Sequence, residues 1–327
     1  MIDFSLPQEL IAQTPAVPRD SARLLVYDRA TKTIRDSVFS ELPTFLPQNT
    51  TVVLNNSKVE DCRYLFYAGK TELFVLEKLD THTIRAMVRP GKLFRVGACV
   101  QLTDFMEATV TAVDSDGFRT IRLNVQHDDP RLKEYEHVPL PPYIAQNDAL
   151  KSEYQTVYAK PLGSKAAPTA GLHFTHELLE DIKKDHDVAE VTLHVGLGTF
   201  AKLTAEQLAS GTLHKEWYEI NAPTAAQLNS AKHITAVGTT TVRTLESTIA
   251  KYGTFTATTE PTEILIQPGY SYKAVNSLIT NFHLPGTSLL LLVEAFVGSE
   301  SELLRIYEHA IRNKYRFYSF GDAMLLL

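Results

Sequence analysis

Three histidines occupy turns whose neighbours mark them as places where a ligand could meet the backbone. AAPTAGLHF (Ala166 to Phe174) carries His173, VTLHVGLGTF (Val191 to Phe200) carries His194, and LITNFHLPGTS (Leu278 to Ser288) carries Asn281 and His283. An imidazole takes up and releases protons near neutral pH. Gly171, Gly196 and Gly198 allow close backbone approach, and Thr169, Thr192 and Thr199 add hydroxyls beside them. The chemistry this composition suits is proton transfer on a small bound molecule, with His173 and His194 as the first proton movers and His283 as the third. A fourth turn, GTTTVRTLE, offers Gly238, Thr239 and Thr240 at a helix start, where hydroxyls and free N–H groups suit a carboxylate or phosphate. Arg243, whose guanidinium matches a carboxylate, lies three residues before Glu246 on the same helical face. Glu216 in LHKEW and Asp322 in FGDAM are acidic partners for a histidine or a cation.

Several common chemistries lack their signatures. His173, His194, His214 and His283 have no HExxH or other tight ligand spacing, so no metal is expected. GLGTF starts like a dinucleotide fingerprint, but GxGxxG fails because position 201 is alanine. Neither a Walker loop nor a GxSxG elbow occurs. Cys62 and Cys99 are the only cysteines and have no CxxC spacing, which leaves them as ordinary thiols.

The elements that must position these turns fall into two patterns. From Tyr64 to Val125 the chain reads as short strands (YLFYA, ELFVLEKL, TIRAMV, LFRVGACVQL, ATVTAV, TIRLNV), with Asp116-Gly117 as a two-residue hairpin signal. Such spacing predicts a small antiparallel β-barrel. HVPLPPYI, with its three prolines, reads as the exit linker of that insert. Elsewhere strands and helices alternate. Thr175 caps a predicted helix to about Lys184, followed by a strand at Val191 to Val195. Ile234 to Val237 leads through Gly238 into a helix ending near Gly253. EILI (Glu263 to Ile266) and Leu278 onward form a third unit, and Ser299 and Glu302 have capping-box spacing for a last helix. The expectation is a mixed α/β main domain over residues 1–60 and 146–327, with an inserted small antiparallel β-barrel over residues 61–145. Ligands in such sheets sit at the carboxyl ends of the strands.

The 327 residues hold 32 basic and 38 acidic side chains, a formal net charge of -6, which argues against bulk attraction to nucleic acid or anionic membrane. A local patch is needed instead, and RAMVRPGKLFR supplies one with Arg85, Arg89, Lys92 and Arg95 interleaved with Phe94. MIDFSLPQEL has neither the basic nor the apolar region of a signal peptide, and no apolar run can span a bilayer. A cytoplasmic protein with no membrane partner is expected, and a monomer.

Taken together, the blocks LPQELIAQTPAVPRDSARLLVYDR, VVLNNSKV, VRPGK, LPPYI, YQTVYA, AAPTAGLHF, VTLHVGLGTF, AVGTTTVRTLE, LITNFHLPGTSLLLLVEAF and YRFYSFGDAM resemble the S-adenosylmethionine:tRNA ribosyltransferase-isomerase family of the queuosine pathway. The resemblance covers nearly the whole chain. It implies a mixed α/β domain with an inserted barrel. It also implies transfer of the ribosyl part of S-adenosylmethionine onto 7-aminomethyl-7-deazaguanine at the tRNA wobble position, giving epoxyqueuosine, adenine and methionine with no further cofactor. By the same resemblance Arg19, Asp20, Arg23, Asn55 and Asn56 line the site or orient its loops, and Arg243 with the Thr239-Thr240 turn holds the methionine carboxylate. His214 and Glu216 keep part of an HxMHxE pattern whose first histidine is Gly211 here. Other departures are Glu60-Asp61-Cys62-Arg63, Lys70-Thr71 and Phe200-Ala201-Lys202-Leu203. They leave open a related enzyme acting on another nucleobase, or a non-catalytic tRNA-binding paralogue. A methyltransferase lacks its acidic-plus-glycine signature.

Overall fold

The computed structural model describes residues 4–196, 198 and 203–327. The chain divides into two compact units, Met1–Val59 with Leu140–Leu327, and Glu60–Pro139. In chain order the first unit begins with β1 (Arg23–Asp28), β2 (Thr33–Val38), α1 (Leu42–Phe45), β3 (Thr50–Asn55) and β4 (Lys58–Val59). The second holds β5 (Arg63–Phe66), β6 (Thr71–Lys78), β7 (Thr83–Arg89), β8 (Cys99–Gln101), β9 (Glu107–Val113), β10 (Arg119–Leu123) and β11 (Glu136–His137). The first unit resumes with β12 (Leu162–Ser164), α2 (His176–Asp185), β13 (Asp187–Leu193), α3 (Ala205–Ser210), β14 (Thr212–Ile220) and α4 (Ala222–Ser230). It ends with β15 (His233–Val237), α5 (Thr239–Tyr252), β16 (Thr258–Ile264), β17 (Ser277–Asn281), α6 (Ser288–Val297), α7 (Glu300–Arg312) and β18 (Ala323–Leu326).

The first unit is a nine-stranded mixed sheet of order β16-β14-β13-β3-β15-β17-β18-β1-β2. Its centre, β13, β3, β15 and β17, is parallel throughout. Every residue of β3 and of β17 is buried, as expected of strands covered on both faces. Because successive side chains point to opposite faces, Val53 joins one core with Val242, Leu245, Leu292 and Ile306 of the helices after β15. Val52 and Leu54 join the other with Leu178, Leu179 and Ile182 of α2. Helices therefore lie on both faces.

Local signals place the helices as the sequence predicts. Thr175 accepts from Leu178 N at 3.1 Å, Ser299 from Glu302 N at 3.3 Å, and Gly253 ends α5 at φ 70°. Only half of the expected capping box forms at Ser299, since the Glu302 carboxylate goes to the Tyr27 hydroxyl and Arg305. The Glu263 to Ile266 run departs from expectation. Its first residues end β16, an antiparallel edge strand beside β14, rather than a parallel strand feeding a helix. The β14 strand itself, with alternating burial from Glu216 to Ile220, carries no turn signal that marks it in the sequence.

The second unit is a seven-stranded antiparallel sheet of order β11-β5-β6-β7-β10-β9-β8 around Tyr64, Phe66, Phe94 and Ile121. LFRVGACVQL, expected as one strand, splits into a 3-10 turn at Gly91–Leu93, a loop and the short β8. The Asp116-Gly117 hairpin has a three-residue loop instead of two. Asp114 N bonds Phe118 O at 3.0 Å, Gly117 N bonds Asp114 O at 3.0 Å, and Gly117 takes φ 80°.

Candidate active site

The carboxyl ends of β13, β15 and β17 open onto a cleft. Its wall includes Thr169 and Ala170 of the Thr169–His173 turn, Val195, Gly238, Thr239 and Thr240, Thr280 to Leu284, and Tyr318 with Ser319. This is where open α/β sheets bind ligands, because the turns leaving adjacent strands diverge there.

Of the three histidines only His283 lines the cleft. It is 8% exposed, its Nε2 lies 2.8 Å from the Thr280 hydroxyl, and its backbone N donates to the Tyr307 hydroxyl. Burial pushes its pKa down to about 3, so it stands unprotonated. His173 is also pushed down to about 3, by burial first and then by the charges of Arg316 and Arg19. It sits behind the wall, against the Phe39 ring and 3.2 Å from the Asn281 carboxamide. Asn281 Nδ2 also donates to Tyr318 O at 3.2 Å, and its Oδ1 accepts from the Thr169 hydroxyl at 3.0 Å. A carbonyl can only accept, so the amide nitrogen faces both Tyr318 O and His173 Nε2. That makes Nε2 an acceptor and puts the His173 proton on Nδ1. Between His173 and the cleft stands Asn281.

His194 lies on the other side of its strand end. Its ring packs on Gly163, where an added Cβ would come within 2.8 Å of Nδ1, and its backbone N donates to Trp217 O at 2.9 Å. Burial lowers its pKa, while Glu219 opposes the shift. Neighbouring Lys165, which no sequence motif marks, is pushed down to about 8 by burial.

Two buried acids account for the charge around α5 in a way that helical spacing does not reveal. Arg243 does not pair with Glu246. Its Nη1 binds Glu216 and its Nε donates to Ile264 O at 3.3 Å, the Arg243 and Glu216 side chains being 8% exposed or less. Glu216 Oε1 also accepts from Gly196 N at 2.7 Å, so the pair holds the backbone at Gly196. Arg243 Nη2 is buried and makes no hydrogen bond among the described residues. Glu246, fully buried, accepts from the backbone N of Lys273, Ala274 and Val275 and from the Tyr270 hydroxyl. Its work is to anchor the 270–275 loop.

The remaining expected residues sort by position. Asn55 bridges β3 to Leu193 N and O and to the Thr240 hydroxyl, while Asn56 bonds Glu190 and Thr192. Gly171 is packing-determined: a Cβ there would fall 2.0 Å from the Tyr158 hydroxyl oxygen. Gly198 packs on exposed His214, 3.0 Å from its Cδ2 to a virtual Cβ. Arg19 holds the carbonyls of Ser152 and Gln155, and half-buried Asp20 shares its 3-10 turn. Arg23 lies over the Tyr315 ring, and Asp322 accepts from the backbone N of Arg23 and Arg316. These are orienting roles outside the cleft wall. Thr199 lies outside the described residues. Tyr143, placed by the sequence in a linker, hydrogen-bonds Ser319 at 2.7 Å and lines the cleft. Its proline-rich neighbourhood hid it. Among the described residues no group of three or more His, Cys, Asp or Glu side chains is arranged to hold a metal ion, and no helix is long and apolar enough to cross a membrane.

In the second unit the expected basic strand is partly a loop. Arg85 and Arg89 lie on β7, whereas Lys92 is in the Gly91–Leu93 turn and Arg95 follows it. Arg85 binds Asp114 and Arg89 binds Glu72 at 2.9 Å, which Arg63 also holds. Lys92 and Arg95 are exposed. Phe94 is fully buried, so it belongs to the core and offers no ring to a base.

A nine-stranded α/β unit with a cleft at its parallel strand ends, interrupted in sequence by a seven-stranded antiparallel unit, is the class this chain defines. The family described as queuosine biosynthesis protein matches residues 1–326, and the chain belongs to that family. It is 41% identical over 336 residues to the S-adenosylmethionine:tRNA ribosyltransferase-isomerase of Desulfitobacterium hafniense, covering 99% of this chain and 98% of that one. The protein of the same name from Thermotoga maritima is 42% identical over 334 residues, again covering 99% and 98%. The crystal structure of S-adenosylmethionine tRNA ribosyltransferase from Thermotoga maritima aligns with a TM-score of 0.57 and 34% identity, covering 99% of each chain.

Proposed function

We propose that this protein transfers and isomerises the ribosyl moiety of S-adenosylmethionine onto 7-aminomethyl-7-deazaguanine at the wobble position of tRNA, releasing adenine and methionine. The match to its family across residues 1–326 is the observation that carries this reading. S-adenosylmethionine is consumed as donor, with no metal or resident cofactor, and the enzyme acts as a monomer in the cytoplasm, where its tRNA is.

The sulfonium acidifies the adjacent ribose carbon, so a base in the cleft can take that proton. An acid then assists adenine to leave, the acceptor amine forms the new bond to carbon, and the ribosyl carbon–sulfur bond breaks as a ribose oxygen closes the epoxide, methionine leaving with the sulfur electron pair. His283 is the base placed best. Burial keeps it unprotonated, and the Thr280 hydroxyl fixes its ring. His173 acts through Asn281, whose carboxamide and the Thr169 hydroxyl it holds against the cleft wall. The second unit is a barrel-type insert that presents Arg85, Arg89, Lys92 and Arg95 to tRNA phosphates.

The test is incubation with S-adenosylmethionine and tRNA carrying the aminomethyl base. Adenine and methionine should appear in equal amounts, one of each per modified tRNA, and their release should survive exhaustive chelation. Release with a different acceptor would point to a related enzyme, binding without release to a non-catalytic paralogue, and S-adenosylhomocysteine to methyl transfer.

A further inference from the structure

The strands β13, β14 and β16, at one side of the sheet, carry an open face beside the cleft. Burial alternates along β14: Glu216, Tyr218 and Ile220 are buried, whereas Trp217 and Glu219 are exposed. Tyr218 and Ile220 join the core that holds Val242 and Leu245 of α5, so the covered face is the one under that helix. Trp217, the only tryptophan of the chain, is 56% exposed on the other face. Register sets its neighbours. Thr192 of β13 stands opposite Glu219, and His194 N, two residues on, donates to Trp217 O at 2.9 Å. Pro261 and Thr259 of β16 stand opposite Trp217 and Glu219. Opposed residues of antiparallel strands project to the same face, so indole, imidazole and carboxylate share it.

Two observations set this face apart from a stray exposed side chain. The Glu219 carboxylate makes no hydrogen bond or ion pair with any described residue, although His194 feels its charge. The face also ends at the cleft: Val195, which follows His194, lines the cleft wall. An indole in water offers a stacking surface to a flat ring, and an unpaired carboxylate repels phosphate but accepts hydrogen bonds from N–H donors. Unpaired RNA bases are held in this way, by stacking on an aromatic ring and by hydrogen bonds to their edges.

We propose that the open face of β13 and β14 is the acceptor-base site, where the 7-deazaguanine ring lies on Trp217 and its guanine-type edge donates to Glu219. This rests on the tRNA base with the aminomethyl arm being the acceptor. Trp217 and Glu219 are two residues apart on one strand, about 7 Å, which suits a ring on the indole with its edge on the carboxylate. The ring N–H and the 2-amino group of that edge give the carboxylate two parallel donors. The aminomethyl arm sits on the opposite, five-membered ring. With the edge on Glu219 the arm is directed past His194 toward Val195 and the cleft, where the amine meets the donor.

Trp217 emission, free of any other tryptophan, is followed as tRNA carrying the aminomethyl base is added. Stacking should quench it, and the same tRNA lacking that base should not. Trp217→Ala should raise the Kd for the aminomethyl tRNA about 5- to 100-fold, the range for one base stacked on an aromatic ring. Trp217→Phe should restore most of the loss, and S-adenosylmethionine should bind both variants as it binds the wild type. Glu219 is read with unmodified tRNAs that carry guanine or hypoxanthine at the wobble position, the latter lacking the 2-amino group. The wild type should prefer guanine about tenfold, the share of one hydrogen bond to a charged group, and Glu219→Ala should bind the two alike. Absence of quenching, an unchanged Kd in Trp217→Ala, equal binding of guanine and hypoxanthine by the wild type, or a preference that survives Glu219→Ala overturns the site. So does a wild-type dimer in light scattering that Trp217→Ala dissociates, which gives the face to a second copy of the chain. Quenching and edge preference without adenine release leave the base site standing while the proposed reaction falls. Adenine release that Trp217→Ala leaves untouched does the reverse.

Discussion

Histidines in the α/β unit and arginines in the seven-stranded unit stand out in the sequence for the same kind of reason, yet the fold treats the two sets in opposite ways. His173 and His283 are 4% and 8% exposed and are kept neutral by burial. Arg89, by contrast, is 61% exposed at its side chain and keeps its charge in water beside Glu72. In the first region, position inside the sheet decides whether a reactive group meets the cleft. In the second, the surface decides how much charge is left over for a partner after local ion pairs are made. Residue type alone does not distinguish a group that faces a ligand from one that supports it.

The largest expected effect separates the histidines from one another. His283→Ala should lower single-turnover adenine release about 10²- to 10⁴-fold in donor-saturated, folded protein, the usual range for a positioned acid or base. His173→Gln, which keeps a hydrogen-bonding group beside Asn281, should cost much less, because His173 reaches the cleft only through that carboxamide. Equal losses for the two variants would erase the distinction between facing and supporting residues.

Next in size is the pH dependence of stability. The folded pKa values of His173 and His283 lie at about 3, below the ordinary value of 6.5. The unfolded chain therefore binds protons that the native state refuses once pH drops below about 6.5. The stability tied to each neutral histidine is fully present above that pH and is lost as pH falls toward about 3. The slope approaches about 1.4 kcal/mol per pH unit for each histidine. Urea unfolding at pH 7 and pH 5 should show this fall, and His173→Gln should flatten it by about one histidine's share. An unchanged slope would mean that His173 protonates in the folded protein.

The smallest effects lie in the seven-stranded unit. Lys92→Ala and Arg95→Ala should each lower the slope of log affinity for tRNA against log salt by roughly one unit, the share of a single neutralised phosphate, with donor binding unaffected. Arg85→Ala should change it less, since Asp114 already offsets that charge and the guanidinium lies over Phe118. If Arg85 instead dominated the slope, the β7 face rather than the turn after it would meet the tRNA.

The sequence by itself determined the alternation of strands and helices, the caps at Thr175 and Ser299, the break at Gly253 and the turns that bear His173, Gly238 and His283. Each follows from local chemistry: a hydroxyl that satisfies a first-turn N–H, a glycine that accepts positive φ, an apolar run that must be buried. Tertiary structure alone decided which of these turns share a cleft. The parallel order β13-β3-β15-β17 sets Val195, Gly238 and His283 along one wall, although their strands are far apart in the chain. Arg243 found Glu216, 27 residues away, instead of the Glu246 that lies three residues along its own helix. Helical spacing shows only that two side chains can meet, whereas a buried charge goes to whichever partner the packed sheet brings against it.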